Sequence, residues 1–155
     1  MPAAPPKLPL ALVGAGRIAQ SYVDVVAASD CVEIVAVADV DEAAAARLAR
    51  RFGEARSFSS HSALLDAMEP AGVVIATPPA THGPIALAFL ERGVPVLCEK
   101  PLAVDNETAR SMICAAEKAG VILTMAAKFR FADDVTRARH IVESGILGDL
   151  LLFEN

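Results

Sequence analysis

No basic run appears anywhere in this sequence, and its formal net charge is −5. Nucleic acids are held by positive faces, so no nucleic-acid partner is expected. The three cysteines, Cys31, Cys98 and Cys114, lack the spacing of a metal site and cannot all pair. Reduced thiols, a cytoplasmic setting and no bound metal are therefore expected. Lys, Arg, Asp and Glu are missing from residues 71–90. That stretch is still no membrane span, because Thr77-Pro78-Pro79, His82-Gly83 and Pro84 interrupt it. The start, residues 1–6, has no apolar signal core and reads as a mobile tail. No internal repeat is present, and the only biased segment is that proline-rich start. With 155 residues the chain can bury one substantial core but is too short for two full domains.

What is present is a strand–helix rhythm. Hydrophobic residues make up 54% of the chain, divided between strands of buried type and small alanines on helices. Apolar runs at Leu10–Val13, Val32–Ala38, Gly72–Ala76, Val94–Cys98 and Val121–Ala126 read as strands, with a shorter one near Ser57-Phe58. Between them, helical spacing covers Ile18–Ala28, Glu42–Arg51, Ser62–Ala67, His82–Glu91, Asn106–Ala119 and Asp133–Ser144. Gly93, Gly120 and Gly145 supply stop signals. This alternation predicts an α/β fold: a doubly wound parallel sheet of Rossmann type with right-handed crossovers.

The first strand runs into Val13-Gly14-Ala15-Gly16-Arg17-Ile18-Ala19, where a glycine-rich turn opens a helix and can hold a dinucleotide pyrophosphate. Gly14 allows the tight turn, and Gly16 lets backbone approach the phosphates without a Cβ in the way. Ala19 fills the third position, which sets how closely helix and strand pack. The free N–H groups around Arg17 and Ile18, with the positive end of the helix dipole, face the anion. Asp39 ends the second strand about twenty residues on, where a carboxylate accepts from the adenosine ribose hydroxyls. It would repel a ribose 2′-phosphate, and no arginine follows it immediately, the next residues being Val40, Asp41 and Glu42, so NAD is expected over NADP. Asp39 or Asp41 can also cap the helix starting near Glu42.

Two further segments fall at strand ends, where open parallel sheets hold their ligands. In Thr77-Pro78-Pro79-Ala80-Thr81-His82 the prolines stiffen a loop. Thr77, Pro78 and His82 are placed either to flank the cofactor or to stay in local structure, and Thr81 is expected to cap the next helix. Glu99-Lys100-Pro101 sets an acid and an amine directly after an apolar strand. A buried, unpaired charge is costly, so this pair should face a cleft. His61 and His140 read as surface residues.

Taken together, Gly14-Ala15-Gly16-Arg17-Ile18-Ala19, Asp39, Thr77–His82, Glu99–Ala103, Arg130-Phe131 and Gly145–Gly148 resemble the Gfo/Idh/MocA family of oxidoreductases. The resemblance implies NAD(P)-linked hydride transfer on a sugar, cyclitol or related polyol. It implies that Lys100 contacts the reacting hydroxyl or carbonyl, that Glu99 sits near the nicotinamide ribose and that Arg130 lines the way in. It also implies a cis Lys100–Pro101 bond. Hydride leaves a carbinol carbon only as its hydroxyl loses a proton, and Lys100 suits that need for positive charge and proton relay.

Family members continue into a second α/β domain carrying most substrate contacts, the acid/base partner of Lys100 and the oligomer interface. The expected organisation is thus a tail over 1–6, a dinucleotide-binding domain over 7–127, and a connecting helix with the first strand of a second domain over 128–155. The chain is then the amino-terminal part of a longer, homo-oligomeric dehydrogenase, binding cofactor without turnover by itself. Asp133 departs from the family, which tends to place proline there. Two other readings remain: a non-catalytic NAD(P)-sensing regulator of the same fold, and another Rossmann-type reductase.

Overall fold

The computed structural model describes residues 6–152. Six strands, β1 (Leu8–Val13), β2 (Val32–Ala38), β3 (Arg56–Phe58), β4 (Gly72–Ile75), β5 (Val96–Cys98) and β6 (Leu123–Met125), alternate with six helices. These are α1 (Arg17–Ala27), α2 (Glu42–Ala49), α3 (His61–Ala67), α4 (His82–Glu91), α5 (Asn106–Ala119) and α6 (Asp133–Glu143). All strand pairs are parallel, and the spatial order is β3-β2-β1-β4-β5-β6. That is the dinucleotide-binding order, with its switch point between β1 and β4. The expected doubly wound fold is the one found.

Successive residues of a strand point to opposite faces, and β1 divides its side chains accordingly. Ala11 and Val13 join Leu64, Ile85, Phe89, Leu90 and Met112 in a core under α3, α4 and α5. Leu12 joins Ala19, Val23, Leu48 and Val74 in a second core under α1 and α2. Both faces of the sheet are therefore covered, which explains the near-continuous apolar runs. Helix α6 buries none of its residues.

Element ends differ from the sequence reading where local chemistry intervenes. The last turn of the second helix tightens into a 3-10 turn at Arg50–Phe52, a common way to satisfy terminal carbonyls. Strand β5 begins at Val96 rather than Val94. Pro95 has no N–H to give a ladder, although its carbonyl accepts from Val73. The strand expected at the end of the 128–155 segment is not formed across the described residues 148–152. Leu150, Leu151 and Leu152 lie exposed, and among the described residues their backbone finds no neighbouring strand to pair with. Of the tail expected over 1–6, residues 1–5 lie outside the described residues, as do 153–155. Among the described residues, no helix is long and apolar enough to cross a membrane.

Candidate functional site

Register aligns the carboxyl ends of the strands. Phe58 pairs with Ala38, Ala38 with Val13, Val13 with Ile75, Ile75 with Cys98, and Cys98 with Met125. One residue beyond this row stand Asp39, Gly14, Ala76 and Glu99. Their backbone N–H groups donate across the sheet: Asp39 to Phe58 (3.1 Å), Gly14 to Ala38 (2.8 Å), Ala76 to Val13 (2.7 Å) and Glu99 to Ile75 (2.9 Å). The glycine turn, Asp39, the proline loop and the Glu99-Lys100 pair are therefore neighbours along one edge.

The two glycines of the turn do different work. Gly14 has φ +102°, and a Cβ there would lie 2.6 Å from the Ala76 carbonyl oxygen. The fold itself requires a glycine at that point. Gly16 has φ −75° as the residue capping α1, and nothing lies within 4 Å of where its Cβ would be. No side chain caps the helix, and no acid occupies its first turn. The N–H groups opening α1 thus present a positive end to open space. Arg17 and Ile18 are exposed there, while Ala19 is fully buried against the sheet.

Asp39 and Asp41 divide the roles left open by the sequence. Asp41 caps α2, accepting from the Ala44 N–H at 2.9 Å. Asp39 instead accepts from the Ala15 N–H through Oδ2 at 2.6 Å and from the Asp41 N–H through Oδ1 at 2.8 Å. It is half-buried, and each oxygen keeps a lone pair for a further donor.

Beyond β4, the proline loop folds into a 3-10 turn at Pro79–Thr81. Thr77 is half-buried and Pro78 exposed. Thr81 does not cap α4 through its side chain. Its hydroxyl donates to the Pro78 carbonyl instead (2.8 Å) and lies 2.9 Å from the Thr77 hydroxyl, which can donate to it. Such side-chain bonding to nearby backbone competes with capping. His82 is completely buried. Its Nδ1 lies 2.8 Å from the Pro101 carbonyl oxygen and its Nε2 2.9 Å from that of Thr77. Both ring nitrogens are thus engaged by the protein, so His82 stands behind the site and ties the loop after β4 to the loop after β5.

At the end of β5, Glu99 is half-buried and Lys100 exposed. The Tyr22 hydroxyl donates to Glu99 Oε1 at 2.9 Å, and the Lys100 N–H donates to Oε2 at 3.2 Å. Burial, then the neighbouring Glu99, pushes the Tyr22 phenol well above its ordinary value, so it stays protonated as a donor. The same two causes push the buried Cys98 thiol up to about 12. Lys100–Pro101 is cis, as the resemblance implied. Arg130 lies on an exposed 3-10 turn at Lys128–Phe131. Among the described contacts, its side chain meets none of the other site residues. Tyr22 is the residue that sequence reasoning missed; it is the only tyrosine in the chain, on the helix that the glycine turn opens.

The model of the oxidoreductase family with an NAD-binding Rossmann fold, Gfo/Idh/MocA, matches residues 8–127. The chain belongs to that family. The rhizopine catabolism protein MocA of Rhizobium meliloti is 39% identical over 92% of this chain and 44% of its own length. The D-glucoside 3-dehydrogenase of Escherichia coli is 35% identical over 92% of this chain and 41% of its own. Among solved structures, the WlbA dehydrogenase from Bordetella pertussis, in complex with NADH and UDP-GlcNAcA, superposes with a TM-score of 0.89. It is 30% identical, covering 95% of this chain and 42% of that one. The chain thus spans less than half the length of these relatives. What it carries is the family's NAD-binding Rossmann domain.

Proposed function

We propose that this Gfo/Idh/MocA domain holds NAD, in preference to NADP, for hydride transfer to or from a sugar, cyclitol or related polyol. The observation that carries the reading is the contrast between Gly14, which the fold needs, and Gly16, which it does not. A glycine in an ordinary conformation beside an uncapped helix start, with open space over it, fits close approach by a pyrophosphate. Asp39 retains acceptor capacity for ribose hydroxyls and sets a negative charge against a 2′-phosphate.

The bound nicotinamide supplies the hydride donor or acceptor. The chain's own residues then bind, orient and balance charge. Lys100, exposed at the sheet edge beside Glu99, is the group proposed to touch the reacting oxygen. Its ammonium stabilises the negative charge that grows there and relays the proton. Glu99 is proposed to meet the nicotinamide ribose, with Thr77 and Pro78 flanking the cofactor and Arg130 toward the open side. His82 supports that loop from behind. The relatives' names point to the substrate class, since MocA serves rhizopine catabolism and the D-glucoside 3-dehydrogenase acts on a glycoside.

The test is a calorimetric titration of the chain with NADH and with NADPH. NADH binding at least about tenfold tighter than NADPH, a difference of roughly 1.4 kcal/mol, is the expected result. No NADH binding would overturn the cofactor reading. For the hydride step, Lys100→Ala in the polypeptide that carries this chain should abolish polyol-dependent NAD reduction and spare NADH binding. Retained turnover would remove Lys100 from the chemistry.

A further inference from the structure

Glu99 is more tightly held than a charged residue at a strand end needs to be. Its N–H is bound to Ile75, and each carboxylate oxygen already has one donor, Tyr22 Oη on Oε1 and the Lys100 N–H on Oε2. The Tyr22 bond spans 77 residues of sequence and joins α1, the helix opened by the glycine turn, to the end of β5. The Tyr22 ring packs half-buried against the core under α1 and α2, so the hydroxyl is presented from a fixed base. Among the described residues, no salt bridge engages Glu99. Neither Lys100 nor any arginine among them forms an ion pair with it.

We propose that Tyr22 is a positioning residue that holds the Glu99 carboxylate ready for the nicotinamide-side ribose. This rests on the cofactor reading above. A long carboxylate side chain left free must lose rotamer entropy when a ligand arrives, and that cost lowers affinity. Here the ordering is done by the phenol before the ligand enters, and one lone pair on each oxygen remains to accept from ribose hydroxyls. The phenol suits the task because it donates without bringing a charge, leaving the carboxylate's own charge available to the ligand.

The test uses Tyr22→Phe, which removes the hydroxyl and keeps the ring packing. NADH and ADP are titrated separately, because ADP lacks the nicotinamide half and never reaches Glu99. Tyr22→Phe should weaken NADH about tenfold, as for loss of one hydrogen bond to a charged group. ADP affinity should stay within about twofold under the same assumption. In a Glu99→Ala background, Tyr22→Phe should change NADH affinity no further. Unchanged NADH affinity overturns the proposal. So does an equal loss for NADH and ADP, which would make Tyr22 a general support of the domain. Additive losses in the double variant would show that it acts apart from Glu99. If the unaltered chain does not bind NADH, the cofactor reading fails first; if it binds NADH and Tyr22→Phe leaves that affinity unchanged, this proposal alone fails.

Discussion

Asp39 accepts a hydrogen bond from the backbone N–H of Ala15, at 2.6 Å. The acid at the end of β2 therefore fixes the glycine turn at the end of β1, besides the ribose contact proposed for it. The two duties fall on one side chain because β1 and β2 are adjacent and their ends are in register. A variant at this position must disturb both.

Asp39→Ala should weaken NADH binding and narrow the gap between NADH and NADPH. It should also cost about 1–3 kcal/mol of stability, since the Ala15 N–H, part-buried at this contact, loses its acceptor. Calorimetry with each cofactor and a urea titration measure the two effects separately. Full NADH affinity in Asp39→Ala would show that the side chain serves the turn and no ligand.

The two glycines should separate under the same substitution. Gly14→Ala forces a Cβ into the Ala76 carbonyl and a side chain into positive φ. A loss of about 2–5 kcal/mol is expected from strain and overpacking together. Gly16→Ala meets nothing, so stability should move by no more than about 0.5 kcal/mol, while NADH affinity falls at least about tenfold. Denaturant midpoints and NADH titrations of the pair decide it. Equal destabilisation by both would mean that Gly16 too belongs to the fold.

How far the sequence revealed all this depends on the range of each interaction. The turn at Gly14 and Gly16 and the acid Asp39 at the next strand's end were legible because their spacing is fixed along one strand–helix–strand unit. Glu99-Lys100 stood out because charge follows directly on an apolar strand. The Tyr22–Glu99 bond was hidden, for its partners lie 77 residues apart and α1 read only as an amphipathic helix. His82 could be placed in the loop but not behind it. Its burial depends on the Pro101 loop closing over α4, a tertiary event with no local sign. Strand ends drifted where an N–H was missing, as at Pro95, or where no partner strand lies alongside, as at residues 148–152.

His82 stands with its two ring nitrogens against the carbonyl oxygens of Thr77 and Pro101. His82→Ala removes a fully buried ring and takes a hydrogen-bond donor away from the part-buried contacts with the Thr77 and Pro101 carbonyl oxygens. A loss of about 2–4 kcal/mol is expected from the cavity and the unmet hydrogen bonding. His82→Gln, which keeps a donor, should recover part of it. Chemical denaturation of the three proteins measures both. A loss below about 1 kcal/mol, the ordinary effect of a surface change, would show that the bridge between the two loops carries little.

Cys98 and the exposed Cys31 and Cys114 should differ in reactivity. Burial, and then the charge of Glu99, hold the Cys98 thiol up at about 12 against an ordinary 9.0. Since the thiolate is the reacting form, an aromatic disulfide reagent near pH 8 should titrate two thiols quickly and the third only on unfolding. The same shift fixes a sign for alkaline stability. The folded chain holds the Cys98 proton more tightly than the unfolded chain does, so the unfolded state gains from deprotonation first. The contribution is fully present below about pH 9 and is lost as the pH rises toward about 12. Tyr22, also raised from its ordinary 10.0, adds to the loss in the same direction at higher pH. Urea midpoints measured from about pH 8 upward should therefore fall, and fall less steeply in Cys98→Ala. Midpoints that stay level through this range, or three thiols reacting alike in the folded protein, would contradict the burial of Cys98 beside Glu99.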